Sequence, residues 1–207
     1  MHPGPLPRLA GLNAPSWALF RGATTHAVTV HKMERDIDTG PLVYQTAFDI
    51  GETDSALAVS AKCVMHGLPL LLRLVDTLAR DPDGLPLRSM DKSRREYKGR
   101  EVPNDGWLSW SWTARQVVNF VRACDYHPYP SPWGQPRTRL GRLEIGVAKA
   151  VRTGRPTSAA PGTVLGGGGR NPWVACADEA VEITHVKVAN RVYPASKFLV
   201  PDQRMEP

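Results

Sequence analysis

Apolar residues recur at Leu57, Ala61, Val64, Leu68, Leu71, Val75 and Leu78, at steps of 4, 3, 4, 3, 4 and 3. That period predicts one long helix with a single buried stripe. Thr53 is its expected N-cap with Asp54 in the first turn, and Gly67 and Pro69 are expected to kink or break it near the middle. Upstream, Pro15 suits the first turn of a short helix over Ala14–Arg21, with Trp17, Leu19 and Phe20 as its apolar surface and Gly22 as its stop. The β-branched stretch Ala27–Met33 predicts a strand, Glu34–Gly40 a loop, and Pro41–Ile50 a second strand. Residues 1–10 read as a Pro-punctuated loop.

The pattern breaks over Asp81–Asp105, where no apolar periodicity is visible and Asp-Pro-Asp-Gly and the basic run Lys92–Arg100 predict a linker. Beyond it, Thr113 can cap a helix reaching about Cys124 with Val117, Val118, Val121 and Cys124 inward. Pro-rich Tyr126–Pro136 ends that helix. Short strand-like stretches follow at Arg142–Val151, Gly162–Leu165, Trp173–Ala177 and Ala180–Val188, separated by Pro161, the Gly166–Gly169 run and Asn171-Pro172. One helix followed by several short strands predicts a small β-barrel. The expected organisation is an α/β part over 1–82, a linker over 83–104 and a barrel over 105–200.

Composition narrows the class. With 207 residues, 42% of them apolar, the chain can bury one good core or two modest ones. No unbroken run of about 18 apolar residues is present, so no membrane span is expected. The amino-terminal stretch lacks a charged segment followed by an apolar one, so no signal peptide is expected either. Cys63, Cys124 and Cys176 are scattered, and neither they nor the six His show metal-ligand spacing. Three reduced thiols in packed cores suit a cytoplasmic protein. The net charge of +6 is uneven: residues 1–82 carry 7 Lys/Arg and 8 Asp/Glu, residues 83–207 carry 19 and 12. A basic second half can steer an anionic partner or simply be a solvated surface.

Several weaker motifs resolve toward structure. The Gly166–Gly169 run has no Gly-Lys-Ser/Thr after it and reads as a hairpin rather than a phosphate loop. Trp107, Trp110 and Trp112 fit packing better than a stacking platform for bases. The run Lys92–Arg100 fits a solvated linker better than a phosphate grip.

The strongest chemistry lies in two loops. His2 opens His2-Pro3-Gly4-Pro5-Leu6-Pro7-Arg8, and Asp38 sits in Asp36-Ile37-Asp38-Thr39-Gly40. A carboxylate beside an imidazole can raise its pKa and hold it as a cationic donor, which serves proton removal and oxyanion stabilisation. On these two residues alone, a structural pair is the commoner outcome. His31, on the strand just before the Asp38 loop, is more readily a partly buried strand residue than a member of the site.

The surrounding residues resemble the folate-dependent formyltransferases. His2 through Arg8 is similar to that family's His-x-Ser-Leu-Leu-Pro-Arg loop, and Gly11-Leu12-Asn13-Ala14-Pro15-Ser16-Trp17-Ala18 to its Gly-Ala-Ala-Pro-Ile-Gln-x-Ala helix start. Val28-Thr29-Val30 through Asp38-Thr39-Gly40-Pro41 resembles the strand and loop carrying the catalytic Asp. Asp105-Gly106 through Trp112, Asn119–Ala123 with Pro128-Tyr129-Pro130, Pro161–Val164 and Ala195–Leu199 resemble its carboxy-terminal domain. The resemblance implies the fold class: the C-terminal part of a Rossmann-like formyltransferase domain followed by a small OB-like barrel. Gly4-Pro5 departs from the Ser-Leu of the family loop.

The implied chemistry is formyl transfer from 10-formyltetrahydrofolate to a primary amine. His2 would stabilise the oxyanion, and Asp38 would position His2 and relay the amine proton. Leu6, Met33, Glu34, Arg35, Asp36 and Ile37 would line the folate site, and no metal is called for. Methionyl-tRNA is the acceptor that the basic half suits. An amino sugar or a carrier-bound aminoacyl group is the alternative, as is a non-catalytic remnant that binds nucleic acid or a partner. The family motif begins Asn-x-His, which places its Asn before Met1 and implies a shortened amino-terminal half. A GTG codon read as the start, or a genuine fragment completed by another chain or by self-association, are the two expectations for that feature.

Overall fold

In the computed structural model, residues 1–167 and 169–207 are described, and the hairpin expected at Gly166–Gly169 falls in part on Gly168, which lies outside the described residues. The chain divides into two units: Met1–Ala18 with Ala23–Glu101, and Val102–Pro207 with Leu19–Gly22.

The first unit is α/β. Strand β1 (Ala10–Gly11) leads into helix α1 (Ala14–Phe20), then β2 (Thr25–His31) and β3 (Leu42–Asp49). β2 and β3 pair antiparallel from Thr25↔Asp49 to His31↔Leu42, and the register slips between Val30 and His31. The amino terminus adds to the far side of β2, where His2 N–H donates to the Thr29 carbonyl at 2.7 Å and Thr29 N–H returns to the His2 carbonyl at 2.9 Å. Helix α2 (Ala56–Arg80) lies against β2 and β3.

Helix α2 corrects the pattern-based reading in three respects. Its N-cap is Ser55, whose side chain accepts from Ala58 N–H, rather than Thr53. The Asp54 carboxylate accepts from Gly51 N–H at 2.7 Å and pairs with Lys62. The helix runs unbroken through Pro69. Its fully buried residues are Ala56, Val59, Cys63 and Gly67, while Leu70, Leu71 and Leu74 pack in part against Val30, Val43 and Tyr44. Most of the expected stripe lies outside: Val64, Leu68 and Val75 are each more than half exposed. The helix is apolar nearly all round, so a 3.6-residue period fits more than one face. Small residues (Ala56, Cys63, Gly67) form the face that approaches the sheet. By length and composition α2 is also long enough and apolar enough to cross a membrane, a feature hidden from a search for unbroken apolar runs by its interspersed polar residues.

Residues 83–104 carry structure of their own. Arg88 bridges to Leu42, and β4 (Tyr97–Lys98) pairs parallel with β1, Ala10 opposite Tyr97 and Gly11 opposite Lys98.

The second unit opens with Trp107–Trp112. Trp110 is buried and donates its indole N–H to Thr138 Oγ1 at 3.0 Å. Trp107 is flanked by the guanidinium groups of Arg137 and Arg139. Trp112 meets Phe20 and Phe120 edge to face. These tryptophans are packing residues. Helix α3 (Ala114–Ala123) starts with a Thr113/Gln116 capping box and buries Val117, Val118 and Val121, with Cys124 buried just beyond it. It lies on β6 (Leu143–Pro156) and β9 (Glu179–Val188).

The sheet also contains β5 (Arg137–Leu140), β7 (Val164–Leu165), β8 (Trp173–Ala175), β10 (Arg191–Pro194) and β11 (Met205–Glu206). Its order is β11-β5-β6-β9-β8-β7, with β10 on β9. Met205 N–H to the Gly162 carbonyl and Val164 N–H to the Gln203 carbonyl join the two ends, giving a nearly closed antiparallel barrel. The short β5, β10 and β11 are absent from the pattern reading, since two to four residues carry no period. All three cysteines are free and buried.

Candidate active site

The two loops singled out by sequence meet in the first unit. Asp38 is nearly buried, and its Oδ2 lies 3.2 Å from His2 Nδ1. Its other oxygen, Oδ1, lies 3.3 Å from His31 Nε2. Gly11 N–H donates to Oδ2 at 2.8 Å. One carboxylate therefore joins two imidazoles and a backbone amide.

Each part is held by local backbone. The loop carrying Asp38 is closed by Lys32 N–H donating to the Pro41 carbonyl at 2.9 Å. Asp38 has φ of 53°, and Leu9, whose carbonyl faces His2, also has φ of 53°. Left-handed backbone is uncommon at non-glycine residues and costs most at a bulky one such as Leu9. The register slip at Val30/His31 re-aims the end of β2, as bulges beside functional sites do. On the His2 loop, Thr29 Oγ1 donates to the Gly4 carbonyl at 2.6 Å and Gln45 Nε2 donates to the Leu6 carbonyl at 3.0 Å. Buried His26 Nε2 bonds the Pro3 carbonyl at 3.0 Å.

The protons can be counted. His2 Nε2 faces the Leu9 carbonyl at 2.8 Å and His31 Nδ1 faces the Lys32 carbonyl at 3.0 Å. Carbonyls only accept, so both contacts need an N–H. The Asp38 oxygens likewise only accept, so each ring satisfies both of its partners only when both of its nitrogens carry protons, and a neutral ring satisfies one of them. The cluster thus has two places where a further proton would be bonded at once. Burial opposes filling the His2 place. Desolvation pushes the His2 pKa below its ordinary value, more than the Asp38 carboxylate and the Leu9 carbonyl raise it, and His31 and the terminal ammonium push it the same way as burial. Burial thus favours the neutral, proton-accepting form of the His2 ring.

The other sequence-predicted residues divide. Glu34, Arg35 and Asp36 line a pocket of about 410 Å³ together with Thr39, Pro41, Ser89, Met90 and Lys92. Met33 and Ile37, 87% and 59% exposed, do not line it, and Leu6 is buried in a small core with Ala10 and Met90. Sequence reasoning missed Gly11, Thr29 and Gln45, and also Arg95, whose side chain bonds the Ile37 carbonyl. Thr29 and Gln45 carried a signal, as polar residues in otherwise apolar strand stretches. Gly11 and Arg95 act through contacts far along the chain and carried none.

Comparison with known proteins gives family matches over most of the chain. Residues 1–74 match the formyl transferase family, and residues 102–200 match the formyl transferase C-terminal domain. The chain belongs to the formyltransferase family, with a Rossmann-like first part and a C-terminal barrel. Among solved structures it resembles HypX from Aquifex aeolicus in complex with tetrahydrofolic acid, with a TM-score of 0.72 and 18% identity over 95% of this chain and 33% of that one. It also resembles the N-formyltransferase from Helicobacter canadensis in complex with folinic acid and dTDP-3-aminofucose, with a TM-score of 0.69 and 17% identity over 88% of this chain and 63% of that one. A sugar 3N-formyl transferase in the presence of dTDP and 5-N-formyl-THF gives a TM-score of 0.69 at 16% identity, over 91% and 64% of the two chains. The chain thus spans a third to under two thirds of the length of these proteins.

Proposed function

We propose that this chain carries the histidine–aspartate part of a site that moves a formyl group from 10-formyltetrahydrofolate to a primary amine. The observation that carries the reading is the Asp38 carboxylate set between His2 and His31 with the Gly11 amide on it. The amine nitrogen bonds to the formyl carbon, the bond from that carbon to the folate nitrogen breaks, and the proton lost by the amine goes to the departing nitrogen. Asp38 relays that proton, and the His2 ring holds it until the folate nitrogen departs and takes it. The resulting imidazolium stabilises the oxyanion of the tetrahedral intermediate. His31 holds the far oxygen of Asp38.

The folate fits the loop beside this cluster. The pocket at Glu34, Arg35 and Asp36 has the size of small-molecule sites and offers carboxylate acceptors for a pterin's N–H groups. Leu6 packs against Met90, one of the pocket's lining residues, and the exposed Met33 and Ile37 lie on the same loop as Glu34–Asp36 and are offered to the folate from there. The organisation proposed is the catalytic part over 1–82, the connecting segment over 83–104 and the barrel over 105–200. The reading needs no membrane, since the inner face of α2 packs on β2 and β3, and a cytoplasmic setting suits it.

For the acceptor, methionyl-tRNA is favoured by the net +7 of residues 83–207. An amino sugar is supported as well by the likeness to enzymes crystallised with dTDP-3-aminofucose or dTDP. Assay of both acceptors with 10-formyltetrahydrofolate separates them. Formylation of a nucleotide-linked amino sugar without formylation of tRNA removes the first reading. Absence of both, together with no folate binding and salt-sensitive RNA binding, favours a non-catalytic module.

A further inference from the structure

The segment Arg95–Lys98 reads in sequence as part of a solvated linker, yet it touches three pieces of the Asp38 site. Arg95 Nη2 donates to the Ile37 carbonyl at 2.8 Å, one residue before Asp38. The Arg95 guanidinium rests on the Tyr97 ring, 5.0 Å from its centroid, and Arg95 is itself half-buried. Glu96 N–H donates to the Pro7 carbonyl at 3.3 Å, on the His2 loop. Tyr97 and Lys98 form β4 against Ala10 and Gly11, and Leu12 N–H donates to the Lys98 carbonyl at 2.8 Å. Gly11 is the residue whose amide bonds Asp38 Oδ2.

Gly11 shows how closely the two strands are fitted. Its φ is 90°, and a Cβ there would run into the Lys98 carbonyl oxygen and the Tyr97 ring. Only glycine adopts that backbone without strain and leaves room for β4. The amide that meets the carboxylate is thus aimed by a strand from a distant part of the chain. The carbonyl beside the carboxylate is held by the residue two positions before that strand.

We infer that Arg95 is a positioning residue for Asp38, and that Arg95–Lys98 is a clamp fixing the carboxylate between His2 and the Gly11 amide. A charge on exposed surface would ordinarily be interchangeable with Lys or Gln. Here the planar guanidinium bonds a carbonyl and lies on an aromatic ring at once, which an ammonium does not reproduce. The inference rests on the proposed role of the His2–Asp38 pair.

The test uses the 207-residue chain and follows the His2 imidazole by NMR during a pH titration. Asp38, His31 and the terminal ammonium are the charged groups that act on His2. In Asp38→Asn, the carboxylate that favours protonated His2 is gone, so its titration moves to lower pH by about one unit. In Arg95→Met, it moves the same way by about half as much, and Arg95→Lys recovers only part of the shift. A full amide spectrum confirms that each variant is folded; should Arg95→Met fail to fold, Arg95→Lys and Arg95→Gln carry the comparison. If Asp38→Asn shifts His2 and no Arg95 variant does, the clamp is wrong while the His2–Asp38 reading stands. If Asp38→Asn leaves His2 unmoved, the pair itself is wrong and with it the reading beneath.

Discussion

His31 Nε2 and His2 Nδ1 approach opposite oxygens of the same carboxylate, Asp38, at 3.3 and 3.2 Å. Each ring spends its other nitrogen on a backbone carbonyl. The carboxylate is thereby fixed in plane and direction, and its charge is available to whichever ring gains a proton. In a complete enzyme, His31→Leu should lower kcat about tenfold with little change in KM, because it loosens Asp38 without removing it. His31→Gln, which keeps an N–H near Oδ1, should recover most of the loss. Equal defects in both variants would show that the imidazole does more than hold the carboxylate. Asp38→Asn or His2→Ala should cost several orders of magnitude in turnover while the fold persists.

Acid should destabilise the chain through its buried imidazoles. Burial lowers the pKa of His2 and of His26, outweighing the carbonyls that each ring bonds. For a histidine depressed on folding, the unfolded chain binds the proton more readily. Stability is therefore fully present above the unfolded value of about 6.5 and is lost as pH falls below it toward the folded value. The slope in that window reaches about 1.4 kcal/mol per pH unit for each histidine. Thermal melts between pH 7.5 and pH 5 should show the decline. His26→Gln, which retains a donor for the Pro3 carbonyl, should flatten it; an unchanged slope would clear His26 of any part.

Gly4 explains a departure from the family's loop. The family has Ser at this position, but a Cβ here would sit 2.5 Å from His2 Nε2 and 2.9 Å from the Ala14 Cβ. In this chain the glycine lets the His2 ring reach the Leu9 carbonyl. Gly4→Ser should displace that ring and cost about 1–3 kcal/mol of stability, as overpacking does. Denaturant melts and the His2 ring signals check both parts. A Gly4→Ser chain as stable as the parent, with unmoved His2 signals, would mean that the loop relaxes freely.

The legible parts of this chain were those written in local pattern. The Thr113 cap of α3, the β2 and β3 stretches and the two loops that bring His2 and Asp38 together all lie in contiguous residues. What escaped was set by distance along the chain. Arg95 bonds the Ile37 carbonyl and Lys98 pairs with Gly11, and no local period marks either. The same holds for β11, which joins the barrel by pairing with β5 far upstream. In α2 the sequence named the helix but not its inner face, because apolar residues lie nearly all round it and only packing selects among them.

That choice of face yields the last prediction. Val59 is fully buried on the inner face of α2, whereas Leu68 and Leu72 are 54% and 63% exposed. Val59→Ala removes packed methyl groups and leaves a void, which should cost about 2 kcal/mol. The double variant Leu68→Gln with Leu72→Gln alters exposed side chains only and should change stability by less than about 0.5 kcal/mol. It should also reduce binding of a hydrophobic dye, since it breaks a contiguous apolar surface. The pattern-based reading makes the opposite forecast for Leu68, because it places that residue in the core stripe. Urea melts of the two variants therefore decide between the faces: a large loss in the glutamine variant returns Leu68 to the core, and a large loss in Val59→Ala alone fixes the inner face at Ala56, Val59, Cys63 and Gly67.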